Sequence, residues 1–273
     1  MMDFFVDLYE FIAVTTEAPL GYSAYHFMWI GITLLLTVLL LVVCKNLNDT
    51  GVRRMACILW ITLSVLELMK QLIYGFYVDN GRLVWDYAWY SFPFQFCASP
   101  LYVLPIIAFA KDGKLHDAAI TFMATFALFA GICVCIYPND VLCSHTFINA
   151  QGMFHHGAQV FFGIYLAFRY RHKMSFKNLA RATLIFSILA GIAMILNIAV
   201  YHIFSAHGID DTFNMFFISP YFDCTLPVLS TIYDITPYPV FLCIYILGFM
   251  LCAGIVMLLM KGLIKITHYD KYQ

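Results

Sequence analysis

A chain of 273 residues in which 63% of side chains are hydrophobic and only 11% are charged has too little polar material to coat a soluble globule of its size. Its mean hydropathy of +0.83 points to a polytopic membrane protein. The formal net charge of −1, with no basic stripe, argues against a nucleic-acid partner.

A membrane-crossing helix needs about 20 mostly apolar residues. Seven stretches qualify: 23–44, 53–77, 90–110, 116–137, 146–168, 178–204 and 236–260. The expected fold class is therefore all-α, a bundle of seven transmembrane helices. Its parts are an N-terminal interfacial segment (1–22), the transmembrane domain (23–262) and a cytoplasmic tail (263–273). Residues 3–14 read as a short amphipathic helix, and the acidic start, with no basic region ahead of an apolar run, does not resemble a cleaved signal peptide.

Lys and Arg accumulate in cytoplasmic loops. Thirteen of the fifteen follow the first, third, fifth or seventh stretch, from Lys45, Arg53 and Arg54 through Lys111 and Lys114 to the Arg169–Arg181 and Lys261–Lys271 groups. The exceptions are Lys70 and Arg82. An N-terminus outside and a C-terminus in the cytoplasm are expected, with the protein in the plasma membrane.

The first stretch is a Leu/Val run that reads as a lipid-facing wall. The second holds Glu67 and Lys70 on one face, continued by Gln71 and Tyr74, and ionisable groups at that depth are costly unless paired. Such a pair serves a site or merely ties helices together; either way the face looks inward. The third stretch opens with Phe92-Pro93-Phe94-Gln95-Phe96-Cys97-Ala98-Ser99-Pro100, which the sequence reading places inside a membrane helix loosened by Pro93, Pro100 and Pro105. The carbonyls so freed need protein partners or a wet cavity, so Cys97 is expected to face protein.

The fourth stretch is Ala/Phe-rich packing. The fifth contains His155 and His156. Gln151, His155 and Gln159 share one face suited to a polar cavity, while Gly152, His156, Val160 and Gly163 share another suited to close helix contact. The sixth carries Asn197. The connection 205–235 has no Lys or Arg yet holds Phe213-Asn214-Met215-Phe216-Phe217, too apolar for a solvated loop, and reads as re-entrant or lying over the outer mouth. Cys143 and Cys224, in outer-side connections, are candidates for a disulfide.

Counted from the helix ends at about 1.5 Å per residue, Cys97, His155, Glu67, Lys70 and Asn197 fall roughly 10–15 Å below the outer surface. A thiol, an imidazole, an ion pair and amides in one layer supply a nucleophile, its base and oxyanion donors.

The segment from Phe92 to Cys97 resembles the Leu-Pro-Leu-His-Leu-Cys motif of the YwaF-like integral membrane protein family, to which the animal lipid acyltransferase transmembrane protein 164 is similar. Phe213-Asn214-Met215-Phe216-Phe217 with Pro220 resembles that family's Asn-Tyr-Met-Phe-Leu segment. Thr236-Pro237-Tyr238-Pro239-Val240-Phe241 resembles the start of its last helix. Gln95 departs from the motif, standing where the family has His. The resemblance implies a Cys/His acyltransferase, with Cys97 as nucleophile and His155 or His156 as base.

On this reading the chain moves a fatty acyl chain between phospholipid or glycolipid acceptors through a Cys97 thioester. His155 is the expected base, Lys70 a charge that lowers the thiol pKa, and Gln95, Asn197 or Asn214 an oxyanion donor. Membrane lipids are the expected partners, and the oligomeric state stays open. No zinc-like spacing and no glycine-rich phosphate loop occur, so no metal and no cofactor are expected. The rivals are an intramembrane lipid hydrolase with the same chemistry and a small-solute transporter using the buried Glu/Lys/His layer.

Overall fold

Three glycines decide which helix sits at the centre. In the computed structural model, which describes residues 2–139 and 141–267, a Cβ on Gly131 would lie 2.6 Å from the His156 carbonyl oxygen. One on Gly163 would lie 2.7 Å from that of Met123, and one on Gly157 2.6 Å from Oγ1 of Thr33. The segment from Met123 to Gly131 can therefore close on the helix carrying residues 155–163 from one side, and the Thr33 side chain from another.

The elements in chain order are α1 (Met2–Ile12), α2 (Ala24–Val43), α3 (Asp49–Gly75), strands β1 (Phe76–Asp79) and β2 (Arg82–Trp85), and α4 (Pro100–Phe109). They continue with α5 (Lys114–Phe122), α6 (Leu128–Ile136), α7 (Thr146–Arg169), α8 (Phe176–His207), α9 (Leu229–Ile235) and α10 (Tyr238–Ile266). A π-turn at Met123–Ala127 joins α5 and α6 into one rod. The fold is predominantly helical.

Among the described residues, five helices are long and apolar enough to cross a membrane: Ala24–Val43, Asp49–Gly75, Lys114–Ile136, Phe176–His207 and Tyr238–Ile266. Two of the seven expected stretches differ. α7 has the length, 24 residues, but Asn149, Gln151, His155, His156 and Gln159 make it less apolar than those five, and it is the most enclosed helix of the bundle, with α2, α3, the α5–α6 rod and α10 packed about it. The stretch 90–110 is not one helix. Only the ten residues Pro100–Phe109 form α4, about 15 Å long against a hydrocarbon core of about 30 Å.

A second difference is the hairpin. α3 ends at Gly75 rather than 77, and Phe76–Asp79 pairs antiparallel with Arg82–Trp85. The turn uses Asn80 and Gly81 at φ 48° and 70°, the positive values that a tight two-residue turn requires. At the other end, α10 runs to Ile266, so the start of the expected tail is helix. Residues 268–273, with Lys271, lie outside the described residues.

The short α1 matches the amphipathic helix read from residues 3–14. Phe4, Phe5, Leu8 and Phe11 are exposed, and Tyr9 is hydrogen-bonded to the carbonyls of Ile73 and Phe76. The face of α2 away from α7 is largely exposed, as a lipid-facing wall requires. No disulfide joins Cys143 to Cys224. The Cys143 peptide is clamped by the side chain of Asn149 through two 2.7 Å bonds, and Cys224 is buried in the core.

Candidate active site

Proline places the thiol. Pro93 and Pro100 lack a backbone N–H, and the chain between them stays irregular apart from a 3-10 turn at Phe96–Ala98. A regular helix begins only at Pro100, a first-turn position where the missing donor costs nothing. Cys97 therefore sits on a turn leading into α4 and not within a membrane helix. That is a correction to the sequence reading, although the expected protein-facing environment is found: Cys97 is half-buried.

Two side chains of α7 hold this turn. His155 Nε2 lies 2.9 Å and Gln159 Nε2 2.8 Å from the Cys97 carbonyl oxygen. A carbonyl only accepts, so Nε2 of His155 carries the hydrogen. The other ring nitrogen, Nδ1, is buried and has no hydrogen-bond partner among the described residues. His156 has the opposite arrangement. Its Nδ1 donates to the Gly152 carbonyl at 2.7 Å, one turn back, and its buried Nε2 has no hydrogen-bond partner among the described residues. Each neutral ring thus presents one bare lone pair.

The third component is a network on α3. Glu67 Oε1 accepts from Lys70 Nζ at 2.8 Å and from Gln71 Nε2 at 2.7 Å, while Oε2 accepts from Gln151 of α7 at 3.1 Å. The carboxylate is buried with donors on both oxygens, which is what makes an ionised group tolerable there. The pair both ties α3 to α7 and lines the site. One cavity of about 120 Å³ is walled by Cys97, His155, His156, Glu67, Lys70, Gln95 and Gln151, with the chain from Tyr90 to Pro93 at its rim.

The amides fare differently. Asn197 gives Nδ2 to the Met215 carbonyl at 3.0 Å and accepts the Met215 N–H at 2.7 Å. Asn214 donates to the Asp223 carbonyl at 3.1 Å and accepts from Ser219 N–H at 2.9 Å. Neither lines the cavity, and their geometry builds the connection between α8 and α9 instead of an oxyanion site. Gln95 does line it, but its Nε2 donates to the Asn214 carbonyl at 3.0 Å and its Oε1 accepts Phe216 N–H at 2.8 Å. The connection itself is buried at Phe213, Met215, Phe216 and Ile218, so it packs into the bundle.

Sequence reasoning put Gln159 on the right face but gave it no task; the i,i+4 spacing from His155 was the available signal. It missed the rim at Tyr90 and Ser91 altogether, because that stretch reads as helix.

The chain matches the model of the TMEM164 family over residues 21–261. No curated protein and no solved structure matches it. The family match covers most of the chain and takes in the cavity, the proline-framed thiol, both histidines and the clamped connection. The protein therefore belongs to the TMEM164 family and is an integral membrane protein.

Proposed function

We propose that this protein is a membrane-embedded lipid acyltransferase that carries a fatty acyl group on Cys97. The observation behind the proposal is that a thiol and two imidazoles, each with one bare nitrogen, line a single cavity. In the first half-reaction the Cys97 proton passes to His155 Nδ1, and the sulfur attacks the ester carbonyl of a membrane lipid. The C–O bond breaks, and the leaving alkoxide takes the proton back from the imidazolium. In the second, an acceptor hydroxyl gives its proton to the same nitrogen and attacks the thioester. The C–S bond breaks, and the thiolate is reprotonated.

His155 is the better-tied base, because its other nitrogen is fixed on Cys97 itself. Lys70 contributes less than a lone ammonium would. Its charge is paired with Glu67, and the thiol meets a dipole instead of a full cation. The alternate outcome, acyl transfer to water, uses the same first half-reaction.

In this reading the chain crosses the plasma membrane seven times, with α4 and its preceding turn as the third crossing and α7 as the fifth. The N-terminus lies outside. The distribution of Lys and Arg supports that orientation, and the polar residues of α7 are compatible with it because they face protein and not lipid.

The test is intact-protein mass spectrometry after extraction from native membrane. A hydroxylamine-labile fatty acyl adduct that maps to Cys97 and is absent from Cys97→Ser is expected; an adduct that survives Cys97→Ser, or full acyl exchange by that variant, sinks the assignment.

A further inference from the structure

α7 has a second face with a different character. Phe154, next in sequence to His155, and Phe161, two turns further on, lie under an apolar groove of about 230 Å³. Leu40 of α2 closes one side, and Met55, Ile58 and Thr62 of α3 close the other. The groove exists because α2 and α3, although consecutive, pack elsewhere: α2 runs along α7, and α3 runs chiefly along α4. Its rim is open, with Ile58 67% exposed. The one polar side chain, Thr62, donates its hydroxyl to the Ile58 carbonyl of its own helix at 2.9 Å, so the wall is almost wholly apolar.

The groove is also in register with the cavity. Asp49 and Arg169 approach to 3.6 Å, which sets the start of α3 level with the end of α7. From Glu67 back to Met55 is about 18 Å along α3, and from His155 to Phe161 about 9 Å along α7, both toward that shared end. A polar cavity thus stands at one end and an apolar groove, open sideways, extends from beside it toward the other. An ester-linked lipid has the same order of parts: a polar group, a carbonyl, then a hydrocarbon chain.

We infer that the groove between α2 and α3 holds the acyl chain of the lipid whose ester carbonyl meets Cys97, a long-chain fatty acyl group. This rests on the acyl-transfer reading of Cys97. Bilayer hydrocarbon is as apolar as the groove, so moving a chain between them gains little transfer energy. What the groove supplies is shape: packing against Phe154 and Phe161 favours chains that fill it. Its signature is therefore discrimination between chains rather than tight binding.

Two measurements test this. In the first, Cys97→Ser protein in lipid nanodiscs is irradiated with a phosphatidylcholine carrying a diazirine at the end of one acyl chain, and labelled peptides are mapped. Labelling concentrated in Met55–Thr62 and Phe154–Phe162, and displaced by dioleoyl but not dioctanoyl phosphatidylcholine, is expected. Labelling spread as heavily over the exposed faces of α8 and α10 overturns the inference. In the second, Thr62→Trp fills the groove, with Ile58→Trp at the rim as the variant to use if the first lowers the melting temperature. The ratio of oleoyl to octanoyl transfer should fall at least tenfold, and an unchanged ratio overturns the inference. Wild-type protein that forms no acyl adduct removes the Cys97 reading, whereas the groove then stands or falls on the labelling pattern alone.

Discussion

His155 donates through Nε2 to the carbonyl oxygen of Cys97 at 2.9 Å, so the imidazole is fastened to the residue whose thiol it serves in the proposed reaction. Gln159 makes the same contact at 2.8 Å. Removing one donor therefore leaves the carbonyl satisfied, and function can be separated from folding. His155→Gln, which lacks a titrating nitrogen, should keep stability within about 1.5 kcal/mol of wild type. Acylation of Cys97 should slow by about 10²- to 10⁴-fold, the usual cost of losing a general base. Adduct formation rate and detergent melting temperature measure the two. A variant that acylates at the wild-type rate would shift the base to His156.

The glycines around α7 give a prediction about packing alone. Gly131→Ala and Gly163→Ala each push a methyl group against a carbonyl oxygen, at 2.6 and 2.7 Å. Overpacking of this kind costs about 1–3 kcal/mol. Gly191 and Gly248, also in helices, have nothing within 4 Å of an added Cβ, and alanine there should stabilise by up to about 1 kcal/mol through helix propensity. Melting temperatures of the four variants should split into two pairs, and equal shifts would mean that α7 is not held by backbone approach.

How much of this was readable beforehand varied by element. Glu67 and Lys70 were legible because helical spacing alone puts i and i+3 together, and burial makes pairing obligatory. The face shared by Gln151, His155 and Gln159 was legible for the same reason. The third stretch was misread: composition marks 90–110 as a span, but Pro93 and Pro100 stop the helix from starting until residue 100, and hydropathy does not register that. Asn80-Gly81 is a strong turn signal for the hairpin, but the apolar Phe76 and Tyr77 carry the hydropathy of the second stretch past the point where its helix ends. Asn197 and Asn214 were assigned to the site because depth was the only coordinate available, and depth says nothing about which backbone groups an amide will find.

Arg53 offers a test at the other end of the bundle. Its guanidinium donates to the Ile107 carbonyl at 3.3 Å and to that of Ala110, capping the open C-terminus of α4, and pairs with Asp112 at 2.7 Å. Arg53→Met should cost about 2 kcal/mol, since it strips charged hydrogen bonds from helix-end carbonyls. Asp112→Asn should cost less, as that carboxylate is exposed. The hydrogen bond and charge of Arg53 hold the Asp112 carboxyl below its ordinary value. A depressed folded-state pKa gives stability that is present above the ordinary carboxylate range and lost as pH falls through the depressed value. The difference between wild type and Asp112→Asn should therefore be constant near neutrality and shrink only in strong acid. A difference that shrinks instead toward alkaline pH would contradict the pairing.

The connection after α8 carries the last prediction. Phe216 and Phe217 hold φ of 59° and 55°, a region that costs a bulky residue roughly 1–3 kcal/mol. Such backbone persists only where neighbours over-determine it, and here two amides do so. Asn197 grips both polar groups of Met215, while Gln95 grips Phe216 N–H and the Asn214 carbonyl. Gln95 is also two residues from Cys97, so the connection and the thiol turn are one mechanical unit. Asn197→Ala leaves the buried Met215 N–H unpaired and its carbonyl with only a long bond, 3.5 Å, from Ile218 N–H, and should cost about 1–3 kcal/mol. Amide exchange resolves the two clamps. Asn197→Ala should release the Met215 amide, Gln95→Ala should release that of Phe216, and either should slow acylation of Cys97 without touching an imidazole. If the Phe216 amide stays protected in Gln95→Ala, the strained turn is held by its aromatic packing against Phe94, Phe96 and Phe186, and not by the glutamine.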